Sequence, residues 1–546
     1  MQGEPRRSGE YERMEDGERI ELSWAGWGDP ARAAPVAPAI ARLLEGGLGV
    51  TTPRPAPASI AGLELVGSRL PGDVLQALVA AVGSDHASSA HDQRARHALG
   101  RSTIDLLALR TRGPLWAPDL VLFPGSHDEI LAVLELCSRD RVAVVPFGGG
   151  TSVVGGLAPE SEAFTGTVAV DLRRLDELIE FDAASRMATF GPGLRGPEAE
   201  ALVGSRGYTI GHFPQSFEFA TLGGFAAARS SGQASAGYGR FDELVQRLKV
   251  ATPAGTLTLG RAPKSAAGPD LRQLILGSEG AFGVITELTV SVTPMPAQRI
   301  YEGWLLSDFD RGLEIVARLA QDGPTPTVLR LSDEAETALG LARPDQLGRS
   351  AGAGCLAIVG WEGSADDVGI RREAGVRMLQ AAGATHVAGA GEQWAQGRFS
   401  APYLRDSLLD AGALVETLET ATFWSSVRPL YDAVAAAVRE SLTSQSTPPL
   451  ILCHVSHTYR SGASLYFTVV CAQLPDPIEQ WRRAKAAARK AIFAAGGSIS
   501  HHHGVGRDHR EGLTDEIGEL GIGVLAAVKR TLDPAGILNP GILISA

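Results

Sequence analysis

Pro146-Phe-Gly-Gly-Gly-Thr-Ser-Val153 follows the β-branched run Arg141-Val-Ala-Val-Val145 and is followed in turn by Gly155-Gly156. The apolar run predicts a strand that ends in the three glycines. Glycine reaches positive φ, and without a Cβ its backbone can lie directly against a ligand. Successive exposed N–H groups in such a turn form an anion nest suited to a pyrophosphate. A lone glycine run is equally a flexible surface turn, so the flanks have to decide.

Upstream, Asp128 to Cys137 has helical apolar spacing with Asp128 and Glu129 at its start, where the helix dipole favours acids. Downstream, Thr167-Val-Ala-Val-Asp-Leu172 predicts a second strand. Strands alternate with helices from about residue 114 onward. A literal G-x-G-x-x-G (Gly191, Gly193, Gly196) lies in Arg186 to Gly196. A nicotinamide-dinucleotide reading would need a strand ending in an acid roughly 20 residues on. The acid near that distance, Glu218, sits in the turn-like His212-Phe-Pro-Gln-Ser-Phe-Glu218, so that reading is rejected. A further glycine cluster, Gly277-Ser-Glu-Gly-Ala-Phe-Gly-Val-Ile285, leads into the strand-like Leu288 to Thr293.

Composition sets the outer bounds. A chain of 546 residues calls for two or three cores. A hydrophobic share of 44% with 21% charged residues marks a folded soluble chain. The net charge of −12 argues against nucleic acid, whose phosphates require basic patches. Four spread cysteines show no metal-like spacing, and Cys137, Cys453 and Cys471 read as buried hydrophobes in a reduced, cytoplasmic setting. The polar N-terminus lacks a signal-peptide core, and no run of about 18 apolar residues predicts a membrane span.

Residues 1 to about 20 read as disordered. Trp24-Ala-Gly-Trp-Gly-Asp29 is expected to dock onto the body, residues 53–57 to form a linker, and the chain to about 113 to be helical. Past residue 297, Trp304 to Ser307 and Cys355 to Trp361 read as strands, and Asp310 to Leu319 and Asp366 to Ala381 as helices. Residues 339–354 read as a mobile loop, and Ile451 to Val470 as a hairpin turning at Arg460-Ser-Gly462.

Ser500-His-His-His-Gly-Val-Gly506 raises the question of a metal. On a strand His501 and His503 would share a face and His502 the other, so one ion takes two at most. No third ligand is evident, and no metal is expected. By the same alternation His454 and His457 would point apart.

Taken together, Pro118-Asp-Leu-Val-Leu-Phe-Pro124, the glycine turn, Gly211-His-Phe-Pro-Gln-Ser216 and Thr221-Leu-Gly-Gly224 resemble the FAD-binding domain of the vanillyl-alcohol oxidase, PCMH-type flavoprotein family. The resemblance implies an α+β fold. After a disordered start and helical region over 1–113 would come a two-subdomain FAD-binding domain over 114–296. A mixed α/β substrate cap over 297–495 would follow, and then a segment over 496–546 returning to the FAD domain. It implies FAD held by Pro146, Gly148, Gly149, Gly150, Thr151, Ser152, Pro214, Ser216, Thr221, Gly223, Gly224, Glu279, Gly280, Gly283 and Ile285. The attachment is expected to be non-covalent, because Thr151 stands where covalently flavinylated members carry a histidine.

Within that family, Trp24-Ala-Gly-Trp-Gly28, Leu329-Arg-Leu331, Tyr403-Leu-Arg-Asp406, His457-Thr-Tyr459 and the triple-histidine motif are most similar to the alkyldihydroxyacetonephosphate synthases. The likeness departs at Arg507-Asp-His509, where a lysine is expected after the glycine. It implies exchange of the acyl group of acyl-dihydroxyacetone phosphate for a fatty alcohol, redox-neutral through a flavin N5 adduct. Tyr459, His501, His502 and His503 would be catalytic and manage protons. Arg405, Arg330 and His212 would bind substrate, the guanidinium fork matching phosphate.

Arg330 sits between apolar residues and must be paired or face a cavity whatever its role. Tyr459 would need cationic neighbours to ionise, with Arg460 and the imidazoles as candidates. The implied partners are a lipid-like phosphorylated substrate, a fatty alcohol, a second copy in a homodimer, and a peripheral membrane contact. Two other readings stay open: an FAD-dependent D-2-hydroxyacid dehydrogenase of the same family, and a flavin-binding protein without turnover.

Overall fold

The strand that feeds the glycine turn, Val142–Phe147, is buried along nearly its whole length. It pairs in parallel with Gly166–Asp171, which pairs in parallel with Leu120–Leu122. The crossover helix His127–Asp140 is locally encoded. The Ser126 hydroxyl accepts from Glu129 N at 3.1 Å, and Ile130, Val133, Leu134 and Cys137 are buried at helical spacing. In the computed structural model residues 19–33, 36–51, 53, 59–110, 113–340 and 353–545 are described. The expected disorder of 1–18, most of the 53–57 linker and most of the 339–354 loop fall outside them.

The region before 113 carries the helices Pro38–Leu48, Gly72–Val82, His91–Arg96 and Thr103–Ala108. It is not wholly helical. Ala87–Ser88 adds an antiparallel edge to Leu120–Leu122, completing a four-stranded sheet. Two residues are too short to leave a period-2 signal.

A second, antiparallel sheet has the order Leu178–Asp182, Met187–Phe190, Val284–Ser291, Val245–Thr252, Gly255–Leu259. The G-x-G-x-x-G follows its second strand and leads into the helix Gly196–Gly204, and a Cβ on Gly191 would stand 2.2 Å from the Leu175 carbonyl oxygen. On Gly193 it would stand 2.0 Å from that of Leu172. These glycines permit close chain packing.

The third sheet has seven strands, in the order Thr385–Val387, Gln298–Leu306, Cys355–Gly363, Val328–Ser332, Leu450–Thr458, Gly462–Ala472, Ala413–Phe423. One face packs on the helices Phe309–Gln321, Ala365–Ala381, Trp424–Ser444 and Pro477–Ala494. Leu329, Leu331, Leu414, Leu418, Ile451, Cys453, Leu465, Phe467 and Val469 join that core. Residues of the opposite parity, Val328, Arg330, Val415, Thr417, Leu450, Leu452, Tyr466, Thr468 and Val470, line a cavity instead.

The chain then returns to the first sheet. Val144 N donates to Ile537 O at 2.8 Å, and Asn539 N donates to Val144 O at 2.8 Å. The turn before this pairing is held by Asp533, which accepts from Ile537 N and Leu538 N at 3.1 and 2.7 Å and pairs with Lys529.

Candidate active site

One cavity of about 700 Å³ lies between the seven-stranded sheet and the four- and five-stranded sheets. Every residue expected to hold the cofactor lines it, from Pro146 through Ser152 to Ile285. The glycines divide into two kinds. A Cβ on Gly148 would meet Thr221 Oγ1 at 2.4 Å, and on Gly149 the Phe219 carbonyl oxygen at 2.0 Å. Gly150 has φ +67°. The first two let the turn close on residues 219–221, and the third supplies its left-handed backbone. Gly224 differs: a Cβ there would meet only Thr221 Oγ1, at 3.4 Å, so the protein leaves that space to the cavity. The cradle fits an elongated, anionic cofactor.

Glu279 lines the same wall, but its carboxylate accepts Val505 N and Gly506 N at 2.8 Å each. It therefore ties the C-terminal segment to the cradle. Burial raises it to about 7, against the pull of those two amides.

The wall formed by the seven-stranded sheet is graded in polarity by strand register. Leu450, Val470 and Val415 sit side by side, then Leu452, Thr468 and Thr417, then His454, Tyr466 and Glu419. The apolar row is extended by Ile40, Leu44 and Leu408. The titratable row ends beside the histidine turn.

Arg330 faces the cavity and is also paired: its Nη2 donates to the Glu336 carboxylate, which His454 Nδ1 meets at 2.8 Å. Burial works against the Glu336 charge, but His454 and Arg330 outweigh it and hold the carboxyl at about 2. Arg405, on the helix Ala401–Asp410, also lines the cavity. Its Nη1 donates to Arg101 O at 2.7 Å, while Nε and Nη2 lean on Asp406 at 3.3 and 3.2 Å. Arg398, which sequence reasoning passed over, adds a third guanidinium over the Phe213 and Phe399 rings. We expect Arg405→Ala to weaken binding of a phosphorylated substrate more than it weakens retention of the cofactor. Titration calorimetry against flavin content would show it, and cofactor loss with unchanged substrate affinity would make Arg405 structural.

Four placements correct the sequence reading. His212 does not line the cavity: its ring packs between Phe225 and Phe241, with Nε2 at 2.9 Å from Ser230 Oγ. Burial lowers it to about 3, so it is neutral. His454 and His457 both line the cavity, because a register shift between Val455 and His457 restores their common side. His501 to His503 form a bend rather than a strand, wrapped around Glu419. The cation beside Tyr459 is Arg240, which hydrogen-bonds the phenol, while Arg460 is exposed.

Of the expected catalytic group, His502 and His503 line the cavity, as do Ser231 and His457. Tyr459 and His501 lie directly behind them. The phenol oxygen is 2.7 Å from His501 Nε2, and Ser231 Oγ is 3.1 Å from His457 Nδ1. Burial raises the phenol pKa while Arg240 and Ser231 oppose it. Burial lowers His457 and His501 well below the ordinary imidazole range. Ring nitrogens of His457, His501 and His502 lie within 4.8 Å of one another, near enough to ligate one ion. Hydrogen bonds to Ser231, to Tyr459 and between His501 and His502 use His457 Nδ1, both nitrogens of His501 and His502 Nδ1. His457 is the third candidate ligand that the sequence did not show. Glu419, Arg240 and Ser231 were missed in the sequence. A glutamate inside the strand Ala413–Phe423 was the available signal, since a buried carboxylate must find partners.

Residues 118–260 match the family described as FAD binding domain, and residues 295–543 that described as FAD linked oxidases, C-terminal domain. The chain is 34% identical over 473 residues to alkyldihydroxyacetonephosphate synthase of Dictyostelium discoideum, covering 83% of this chain and 77% of the relative. It is 32% identical over 474 residues to the synthase of Trypanosoma brucei brucei, again covering 83% and 77%. A solved structure of alkyldihydroxyacetonephosphate synthase superposes with a TM-score of 0.80 at 28% identity, covering 95% of this chain and 98% of that one. FAD is the cofactor of this chain.

Proposed function

The chain belongs to the alkyldihydroxyacetonephosphate synthase family of FAD-binding flavoproteins, and from that premise we propose that it exchanges the acyl group of acyl-dihydroxyacetone phosphate for a fatty alcohol. The observation that carries this is the graded wall. An apolar row of Leu450, Val470 and Val415 passes through a threonine row into His454, Tyr466 and Glu419. A small hydroxyacid would have no use for the apolar end, whereas a fatty chain buries favourably there, at about 0.8 kcal/mol per CH₂.

In this reading Arg330, Arg398 and Arg405 receive the phosphate. The proton leaving the substrate carbon passes to Tyr459 through Ser231, which lines the cavity and hydrogen-bonds the phenol, with His457 and the histidine turn beside it. When bound, FAD supplies an electron-accepting ring that activates the substrate carbon without net redox change. The residues from Pro146 to Ser152 and around Thr221 and Gly280 hold it without a covalent link, Thr151 offering no attachment chemistry. Among the described residues no helix is long and apolar enough to cross a membrane. A peripheral contact suits the same reading, because Leu43 and Leu48 of the helix Pro38–Leu48 line the apolar end of the cavity. Co-sedimentation with vesicles tests that contact, and light scattering tests the homodimer.

The deciding assay supplies the yellow protein anaerobically with acyl-dihydroxyacetone phosphate and a long-chain alcohol. Fatty acid should be released while the flavin stays oxidised, and acid should afterwards free the flavin into solution. If D-lactate or a similar hydroxyacid instead bleaches the flavin and no exchange occurs, the chain is a dehydrogenase. Flavin that stays with the acid precipitate refutes the non-covalent attachment.

A further inference from the structure

Glu419 continues the cavity-facing row of Val415 and Thr417, but its carboxylate is turned entirely to the chain's own donors. Oε1 accepts from Ser500 Oγ at 2.8 Å and from the backbone N–H groups of His501, His502 and His503 at 2.9, 3.0 and 2.9 Å. Oε2 accepts from His501 N at 2.8 Å and faces His502 Nδ1 at 3.4 Å. Burial works against its charge, but His502, His503 and His501 outweigh it and hold the carboxyl well below its usual range. The group is therefore an anion at working pH.

An anion at that place orders the protons of the whole chain of rings. His501 Nδ1 and His502 Nδ1 are 3.0 Å apart, so one of them donates and the other accepts. The carboxylate is nearer to His502 Nδ1, at 3.4 Å, than to His501 Nδ1, at 3.9 Å, and favours the proton on His502. His501 Nδ1 is then an acceptor, and the neutral His501 ring carries its proton on Nε2. That nitrogen is 2.7 Å from the Tyr459 oxygen. The phenol oxygen thus receives a donor from His501 besides the Arg240 and Ser231 hydrogen bonds that favour its charged form. Donors converging on that oxygen favour the phenolate. Glu243 is the charge that opposes it.

We propose that Glu419 is the positioning residue of this site, pinning the three-histidine turn by its backbone and setting the imidazole tautomers so that His501 Nε2–H donates to Tyr459. It rests on the proposed reaction only in that Tyr459 moves a proton during turnover.

The test compares wild-type holoenzyme with Glu419→Gln and His502→Phe, the second of which removes the link to His501 and leaves the backbone amides on Glu419. In both variants the phenol should become harder to ionise. Turnover at neutral pH should fall about tenfold or more, the effect of a shift of one pKa unit. The deficit should shrink as pH rises, with KM for the substrate little changed. Amide hydrogen exchange at residues 501–503 should accelerate in Glu419→Gln and stay near wild type in His502→Phe. Turnover is followed as alkyl exchange or as flavin bleaching, whichever the wild type performs, so failure of the synthase reading is recorded separately in the wild-type control. An equal loss at every pH, a wild-type pH profile in His502→Phe, or unchanged amide exchange in Glu419→Gln would overturn the proposal.

Discussion

Tyr459→Phe should retain the fold and its FAD while losing roughly 10²-fold or more of alkyl exchange, the usual scale for a missing acid–base group. The substitution removes one oxygen and nothing else. The ring keeps its place because the residue is held by its backbone: Trp424 Nε1 donates to Tyr459 O at 3.0 Å, and Tyr459 N donates to Gly462 O at 2.8 Å. The lost oxygen is the meeting point of His501, Arg240 and Ser231. A phenol ionises near pH 10 in water, and burial raises this one further against the pull of Arg240 and Ser231. Its use as a base near neutrality therefore depends on those neighbours. Stopped assays of fatty-acid release, with the flavin spectrum as the check on cofactor content, read the effect. A variant with wild-type turnover would remove Tyr459 from the mechanism.

Gly149→Ala should yield protein largely without flavin. The added Cβ would stand 2.0 Å from the Phe219 carbonyl oxygen and 2.9 Å from Ala220 Cα, both backbone atoms that no rotamer change can move. The turn must back away from residues 219–221. Thr221 goes with that segment; it caps the helix Leu222–Ala228 by accepting from Gly224 N at 3.3 Å. Overpacking of this kind costs about 1–3 kcal/mol, enough to weaken cofactor binding about 5- to 150-fold. Gly224→Ala is the contrast. Its Cβ meets only Thr221 Oγ1 at 3.4 Å, so the apo fold should melt as wild type does while FAD affinity drops. Flavin-to-protein ratios and melting temperatures of both variants decide it. Full flavin content in Gly149→Ala would mean that the turn does not need to close on Phe219.

What could be read along the chain was whatever a local stretch encodes. The helix His127–Asp140 was legible because its first-turn acids and its buried stripe lie within a few neighbouring turns, from Asp128 to Cys137. The glycine turn was legible because three glycines after a buried strand serve close backbone approach. Arg330 was marked by its own environment, a charge between apolar neighbours, and it proved to be paired and at the cavity wall together.

The proton-handling group was only half legible. Tyr459 and the triple histidine stood out as residue types, but the partners that define their chemistry come from far along the chain: Glu419 on the strand Ala413–Phe423, Arg240 and Ser231 from the FAD-binding region. The common side of His454 and His457 depends on a one-residue slip against the neighbouring strand, which alternation along a single strand cannot reveal. His212 looked exposed to function by its motif and was claimed by the Phe225 and Phe241 rings. Local sequence thus determined where strands, caps and close backbone turns form, because those depend on residues a few positions apart. Which nitrogen carries a proton, which cation meets the phenol and which face of a strand sees the cavity were decided by packing between distant segments, because desolvation and hydrogen bonding act across space.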